Sequence, residues 1–154
     1  MVVPTGATGF RAAVGCIGSG LDGFRSTHRQ AVEAARVAQL SRDTEKDAVV
    51  PFDQVNLLAL LTTDVSGVRE FIRHELGALA EEGLRFRTLR DTVLIYLECR
   101  RSLSAAAERL YVARNTVTYR LRRAEELIGH NLDTRDWEVR TALKAAAVLG
   151  IGGE

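Results

Sequence analysis

The sequence predicts a mainly α chain with a small α/β N-terminal portion and a helix-turn-helix helical domain after it. Three observations carry this expectation. From Asp53 onward apolar residues recur at helical spacing, with no strand-like run. Before that point, two short apolar runs flank one amphipathic stretch, the pattern of a single βαβ unit. Toward the C-terminal end, two short helical patterns are separated by Tyr111, Val112 and Ala113 alone.

Composition sets the bounds. With 154 residues, 46% hydrophobic and 27% charged, the chain suits one ordinary folded domain, or a small domain plus part of another. No apolar run nears the roughly 18 residues that span a bilayer, and "MVVPTGATGF" lacks the basic-then-apolar order of a signal peptide. A cytoplasmic protein with no membrane partner is expected. Cys16 and Cys99 lie far apart without a CxxC and read as reduced, mostly buried packing residues, and His28, His74 and His130 are scattered. No metal site and no cofactor are expected. Catalysis is not expected either, because the chain lacks a GxSxG or GKS/T loop and any carboxylate pair at catalytic spacing.

The elements follow in order. "FRAAVGCIG", 10–18, is a short apolar run ending in glycine and predicts a buried strand. "DGFRSTHRQAVEAARVAQL", 22–40, predicts a helix capped by Asp22, with an apolar face through Phe24, Ala31, Ala34, Ala35 and Ala38. "SRDTEKDA", 41–48, predicts a loop, and "VVPF", 49–52, a strand that Pro51 confines to an edge, since proline cannot donate to a ladder. Two strands do not make a stable sheet, so residues 1–53 read as a partial α/β remnant. "QVNLLALL" predicts a short helix. The next is capped by Asp64 or Ser66 and follows Val68, Phe71, Ile72, Leu76 and Leu79 up to a break at Gly83, which makes 54–83 a helical connector. Residues 84–154 then read as a separate helical domain, with helices over "FRTLRDTVLIYLECR", "RSLSAAAERL", "RNTVTYRLRRAEELIG" and "RDWEVRTALKAAAVLG". The last two are closed by Gly129 and Gly150.

The functional signal lies in "AAERLYVARNTVTYRLRR", 106–123. From Arg100 to Arg123 seven arginines face a single acid, Glu108, a local charge of +6 in a chain whose net charge is +1. Such asymmetry is the footprint that a nucleic-acid contact requires. Ser104 predicts a cap for a short helix in which Ala107 and Leu110 face inward; Val112 plugs the turn; a second helix spans about 114–128. Val117, Leu121, Ala124 and Ile128 of that helix share one stripe. Asn115, Tyr119 and Arg122 project opposite it, Thr116 and Arg123 on one shoulder, and Thr118 on the other. A short helix, a tight turn and a second helix with a donor-rich outer face is the arrangement in which the second helix enters the major groove. Arg114, Arg122 and Arg123 suit phosphates or guanine; Asn115, Thr116, Thr118 and Tyr119 hold register or read base edges.

"SLSAAAERLYVARNTVTYRLRRAEELIG" and "NLDTRDWEVRTALKAA" resemble the C-terminal helix-turn-helix domain of the PucR/CdaR group of bacterial transcription regulators, a Fis-type helix-turn-helix. The likeness runs from about Leu89 to Ala147. "AAVGCIGSGLDGFRSTHRQAVEAARVA" and "VVPFDQVNLLALL" resemble the tail of the GGDEF-like domain that commonly precedes it. The resemblance implies a sequence-specific transcriptional regulator that binds double-stranded DNA as a dimer or higher oligomer, with a homodimer expected. It also implies a longer protein, with a small-molecule effector acting through an N-terminal sensory region, so that this chain is a fragment or a truncated form. Dimerisation on an inverted repeat is expected to use the connector, through Phe71, Ile72 and Leu76. One departure stands at Ala113, where the family usually carries His: alanine is a poor N-cap and typically costs about 1 kcal/mol.

Two other readings compete. "GSGLDG", Gly18 to Gly23, matches G-x-G-x-x-G between an apparent strand and an apparent helix, the setting of a nucleotide-binding α/β module. The acid expected about 20 residues on should end the next strand; Asp43 instead falls in the charged loop and Asp53 comes later. A plain glycine-rich turn is the simpler reading. The basic stretch, in turn, has the alternative of a solvated face in a protein-interaction helical domain.

Overall fold

The structure is a computed structural model that describes residues 12–40 and 49–151. The 41–48 segment expected as a loop, with Asp43, lies outside the described residues. Two compact units divide the chain, Met1–Thr63 and Asp64–Glu154. The boundary falls inside the 54–83 stretch, whose first helix goes with one unit and whose second goes with the other.

In the first unit, β1 (Ala12–Val14) and β2 (Val49–Pro51) pair in parallel, Ala12 opposite Val49 and Val14 opposite Pro51, with α1 (Gly20–Leu40) as the crossover and α2 (Phe52–Leu61) after it. Among the described residues the sheet has these two strands only. α1 buries Ala34 and Val37. Phe24, expected on that face, is instead 70% exposed and stacks on His28 one turn along. Arg36 ties α1 to α2: its guanidinium donates to the carbonyls of Ala59 at 2.7 Å and Thr62 at 3.0 Å, satisfying orphan groups at the C-terminal end of α2.

The glycines of 18–23 have a packing role. A Cβ at Gly18 would lie 2.7 Å from the Gly23 Cα, so two backbones meet where any side chain would intrude. The neighbouring Cys16 amide donates to Gln30 Oε1 at 2.8 Å and its carbonyl accepts from the Thr27 hydroxyl at 2.6 Å. The turn therefore spends backbone groups on its own helix. Cys16 is exposed and Cys99 half-buried, so neither is the buried packing residue expected.

In the second unit, α3 (Val65–Leu76) opens on Asp64, whose carboxylate accepts from the Gly67 amide at 3.0 Å. The helix expected to continue through Leu79 ends at Leu76. Gly77 adopts φ +50°, and a Cβ there would sit 2.9 Å from the Leu127 carbonyl, so the chain turns and a 3-10 segment, Gly77–Ala80, carries Leu79 into the core. α4 (Leu84–Glu98), α5 (Leu103–Leu110), α6 (Arg114–Ile128) and α7 (Asp136–Leu149) follow. α3 packs on α7, α4 on α5 and α6, and α5 on α6.

Ile72 and Leu76 are both 0% exposed and, with Leu79, Leu97, Val93, Val117 and Val139, are among the largest fully buried side chains of this unit. They cannot serve as the dimer surface expected of them. An apolar stripe looks the same in sequence whether α7 or a second subunit covers it. Arg90 is also buried and donates to the carbonyls of Leu79 at 2.8 Å and Glu81 at 2.9 Å, pinning the 3-10 segment to α4. Desolvation lowers its pKa from the usual arginine value, against the opposing pull of Asp91. No helix among the described residues is long and apolar enough to cross a membrane.

Candidate nucleic-acid interface

The turn between α5 and α6 is built from three local choices. Ser102, two residues before the serine expected to cap α5, is the N-cap and accepts from the Ala105 amide at 3.2 Å; Ser104 lies one position inside the helix and is exposed. Tyr111 ends α5 in the left-handed region, φ 55° and ψ 41°, and the Val112 amide donates to the Ala107 carbonyl at 3.0 Å, which reverses the chain. Ala113 then takes the extended geometry of an N-cap, φ −65° and ψ 147°, with no side-chain acceptor for the free amides of α6.

The stripe expected to seat α6 is buried throughout: Val117 and Ala124 at 0% and Leu121 and Ile128 at 8% exposure. α5 approaches through two alanines, Ala106 being sealed completely and Ala107 nearly so. Leu110, expected to face inward with Ala107, is only half-buried.

On the other side of α6, Arg114, Asn115, Tyr119 and Arg122 are exposed, and Thr116, Thr118 and Arg123 are half-buried on its shoulders. The Thr118 hydroxyl donates back to the Arg114 carbonyl at 3.2 Å. The structure thus brings the seven residues singled out in the sequence onto one outward surface.

Their charges are not equally free. Arg123 pairs with Glu126 one turn on, Arg109 with Glu98 at 3.0 Å, and Arg101 with Asp133 at 3.1 Å and Asp136 at 3.0 Å. Arg100, Arg114 and Arg122 have no acidic partner among the described residues. Their positive charge is therefore available to a polyanion. The Arg123–Glu126 spacing is visible in the sequence; the pairing of Arg101 with α7 needs the fold. Arg120, unassigned from the sequence, is half-buried, with the Thr92 hydroxyl 3.4 Å from its Nη1.

A buried stripe, a left-handed turn and an outward basic face define a helix-turn-helix domain of the kind found in transcriptional regulators. Residues 89–148 match the family described as the PucR C-terminal helix-turn-helix domain. The purine catabolism regulatory protein of Bacillus subtilis (strain 168) is 37% identical over 115 residues, 74% of this chain and 21% of that protein. A solved structure of a regulator of polyketide synthase expression from Bifidobacterium adolescentis is 28% identical and has a TM-score of 0.43, over 84% of this chain and 53% of that one. The chain thus spans about a fifth of the curated relative and about half of the solved one. The matched family is a helix-turn-helix domain over residues 89–148, and the Bacillus subtilis relative is by its name a regulatory protein.

Proposed function

We propose that the chain is a sequence-specific DNA-binding transcriptional regulator whose α6, 114–128, lies in the major groove. The carrying observation is the division of that helix. One stripe is fully seated in the domain, while the opposite side presents Arg114, Asn115, Tyr119 and Arg122 to solvent, with both arginines lacking an acidic partner among the described residues. Asn115, Tyr119 and Arg122 face base edges in this reading. Thr116, Thr118 and Arg123 hold the strands on either shoulder.

A single recognition helix buries little surface, so specific binding is expected from a homodimer on an inverted repeat. The parallel β1–α1–β2 unit is consistent with residues 1–53 being the tail of a GGDEF-like domain, followed by a connector over 54–83 and the DNA-binding domain over 84–154. A small-molecule effector would act through a sensory region outside this chain.

The test is selection of bound duplexes from a random pool, followed by titration of the winner against the wild type, Arg114→Ala and Arg122→Ala. An enriched consensus supports the reading, with Arg114→Ala weakened on every duplex and its salt slope lowered by about 1, and Arg122→Ala weakened with relaxed preference at one base position. A pool that stays random, or variants that bind as the wild type does, refutes it.

A further inference from the structure

A groove of about 380 Å³ runs along one shoulder of α6, between it and the first turns of α4. Leu84, Leu89 and Tyr119 line it together with Arg85, Arg120 and Arg123, and its surface is mainly apolar. Thr88 also lines the groove but turns its hydroxyl onto the Leu84 carbonyl at 2.9 Å.

The charge in this groove is under-compensated. Arg85 is exposed and has no acidic partner among the described residues. Arg120 is half-buried with only a long contact to the Thr92 hydroxyl. Arg123 reaches Glu126 through Nη1 but leaves its buried Nε without a hydrogen-bond partner. Of the three arginines, Arg123 alone has an acidic partner among the described residues. A guanidinium fork matches a phosphate better than any neutral ligand, and desolvated donors left unpaired are costly.

The position of the groove selects its occupant. A helix about 10–12 Å across fills a major groove about 12 Å wide, so the two phosphate strands that wall the groove come against the shoulders of the helix. Arg120 and Arg123 lie on such a shoulder, and Arg85 of α4 lines the same groove. The groove is open to solvent rather than an enclosed cavity.

We infer that the α4–α6 groove clamps one phosphodiester strand of the duplex, with Arg85 as a positioning residue outside the recognition helix. This rests on the DNA-binding reading of α6. It adds a second element to the contact: Arg85 holds the register of α6 along the groove and reads no base.

Anisotropy of labelled duplexes over a salt series tests the clamp, with the wild type, Arg85→Ala, Arg85→Lys and Arg122→Ala. Because Arg85 is exposed, a thermal melt is expected to show Arg85→Ala folded as the wild type. Arg85→Ala is expected to weaken the selected duplex and a scrambled duplex by the same several-fold factor and to lower the salt slope by about 1, with Arg85→Lys restoring most of both. If Arg85→Ala binds with unchanged affinity and slope while Arg122→Ala is weakened, the clamp is refuted and the DNA-binding reading stands. A loss confined to one sequence would make Arg85 a base contact and also refute the clamp. If Arg85→Ala binds DNA normally yet loses thermal stabilisation by inorganic phosphate, the groove is a small-anion site instead. A wild type that binds neither duplex removes the DNA-binding reading itself.

Discussion

Arg135 donates through Nη2 to Glu75 Oε1 at 2.8 Å, joining the last turn of α3 to the residue that opens α7. Glu75 is only 2% exposed, and its other oxygen has no hydrogen-bond partner, so the arginine and His74, 3.0 Å away, are what compensate the carboxylate.

Arg135→Ala leaves that carboxylate buried with less compensation. Breaking a buried pair costs several kcal/mol, but Arg135 is itself partly exposed and the screened loss here is about 2 kcal/mol. For a unit of this size that lowers the thermal midpoint by roughly 10 °C. Adding Glu75→Leu is expected to recover much of the loss, because an apolar side chain needs no partner there. Differential scanning calorimetry of the single and double variants checks both statements; a double variant no more stable than Arg135→Ala would show that the pair is not the cause.

At Ala113 the backbone already has N-cap geometry and lacks only an acceptor. Ala113→Ser is expected to stabilise the domain by about 1 kcal/mol and raise its melting temperature by roughly 4–8 °C. An unchanged midpoint would mean that solvent already satisfies those amides.

Tyr111 occupies the left-handed region while 95% exposed, so its side chain contributes little packing to offset the backbone cost. Tyr111→Gly removes roughly 1 kcal/mol of strain and is expected to leave stability unchanged or slightly raised. Tyr111→Val, β-branched, is expected to lower it. Urea midpoints for the two variants should therefore move in opposite directions or differ by at least this amount.

The sealed contact of Ala106 with the rest of the domain gives a complementary expectation. Ala106→Leu overpacks the sealed side of α5 against α4 and α6, and is expected to cost about 1–3 kcal/mol and to disturb the seat of α6. Duplex affinity should fall together with stability, whereas Arg122→Ala should lower affinity alone.

What was legible in the sequence follows from the range of the forces involved. The stripe Val117, Leu121, Ala124 and Ile128 could be read because burial at helical period is a local signal, and Gly129 and Gly150 because glycine accepts the left-handed C-cap at φ 85° and 63°. Ser102 and Ser104 are equal as caps by residue type, and Ser102 takes the role directly after Arg100 and Arg101, both at positive φ. The burial of Ile72 and Leu76 depends on α7 closing over α3, a pairing distant in the sequence. The groove of Arg85 and Arg120 joins α4 to α6 and has no one-dimensional trace.

The placement of the outer face of α6 in the major groove is tested most directly by methylation interference on a selected duplex. Methylation at guanine N7 marks the major groove and at adenine N3 the minor groove. The account predicts that binding is blocked by N7 methylation at positions within each half-site, and that Arg122→Ala loses sensitivity at one of them. Interference confined to adenine N3, or none at any guanine, would contradict it.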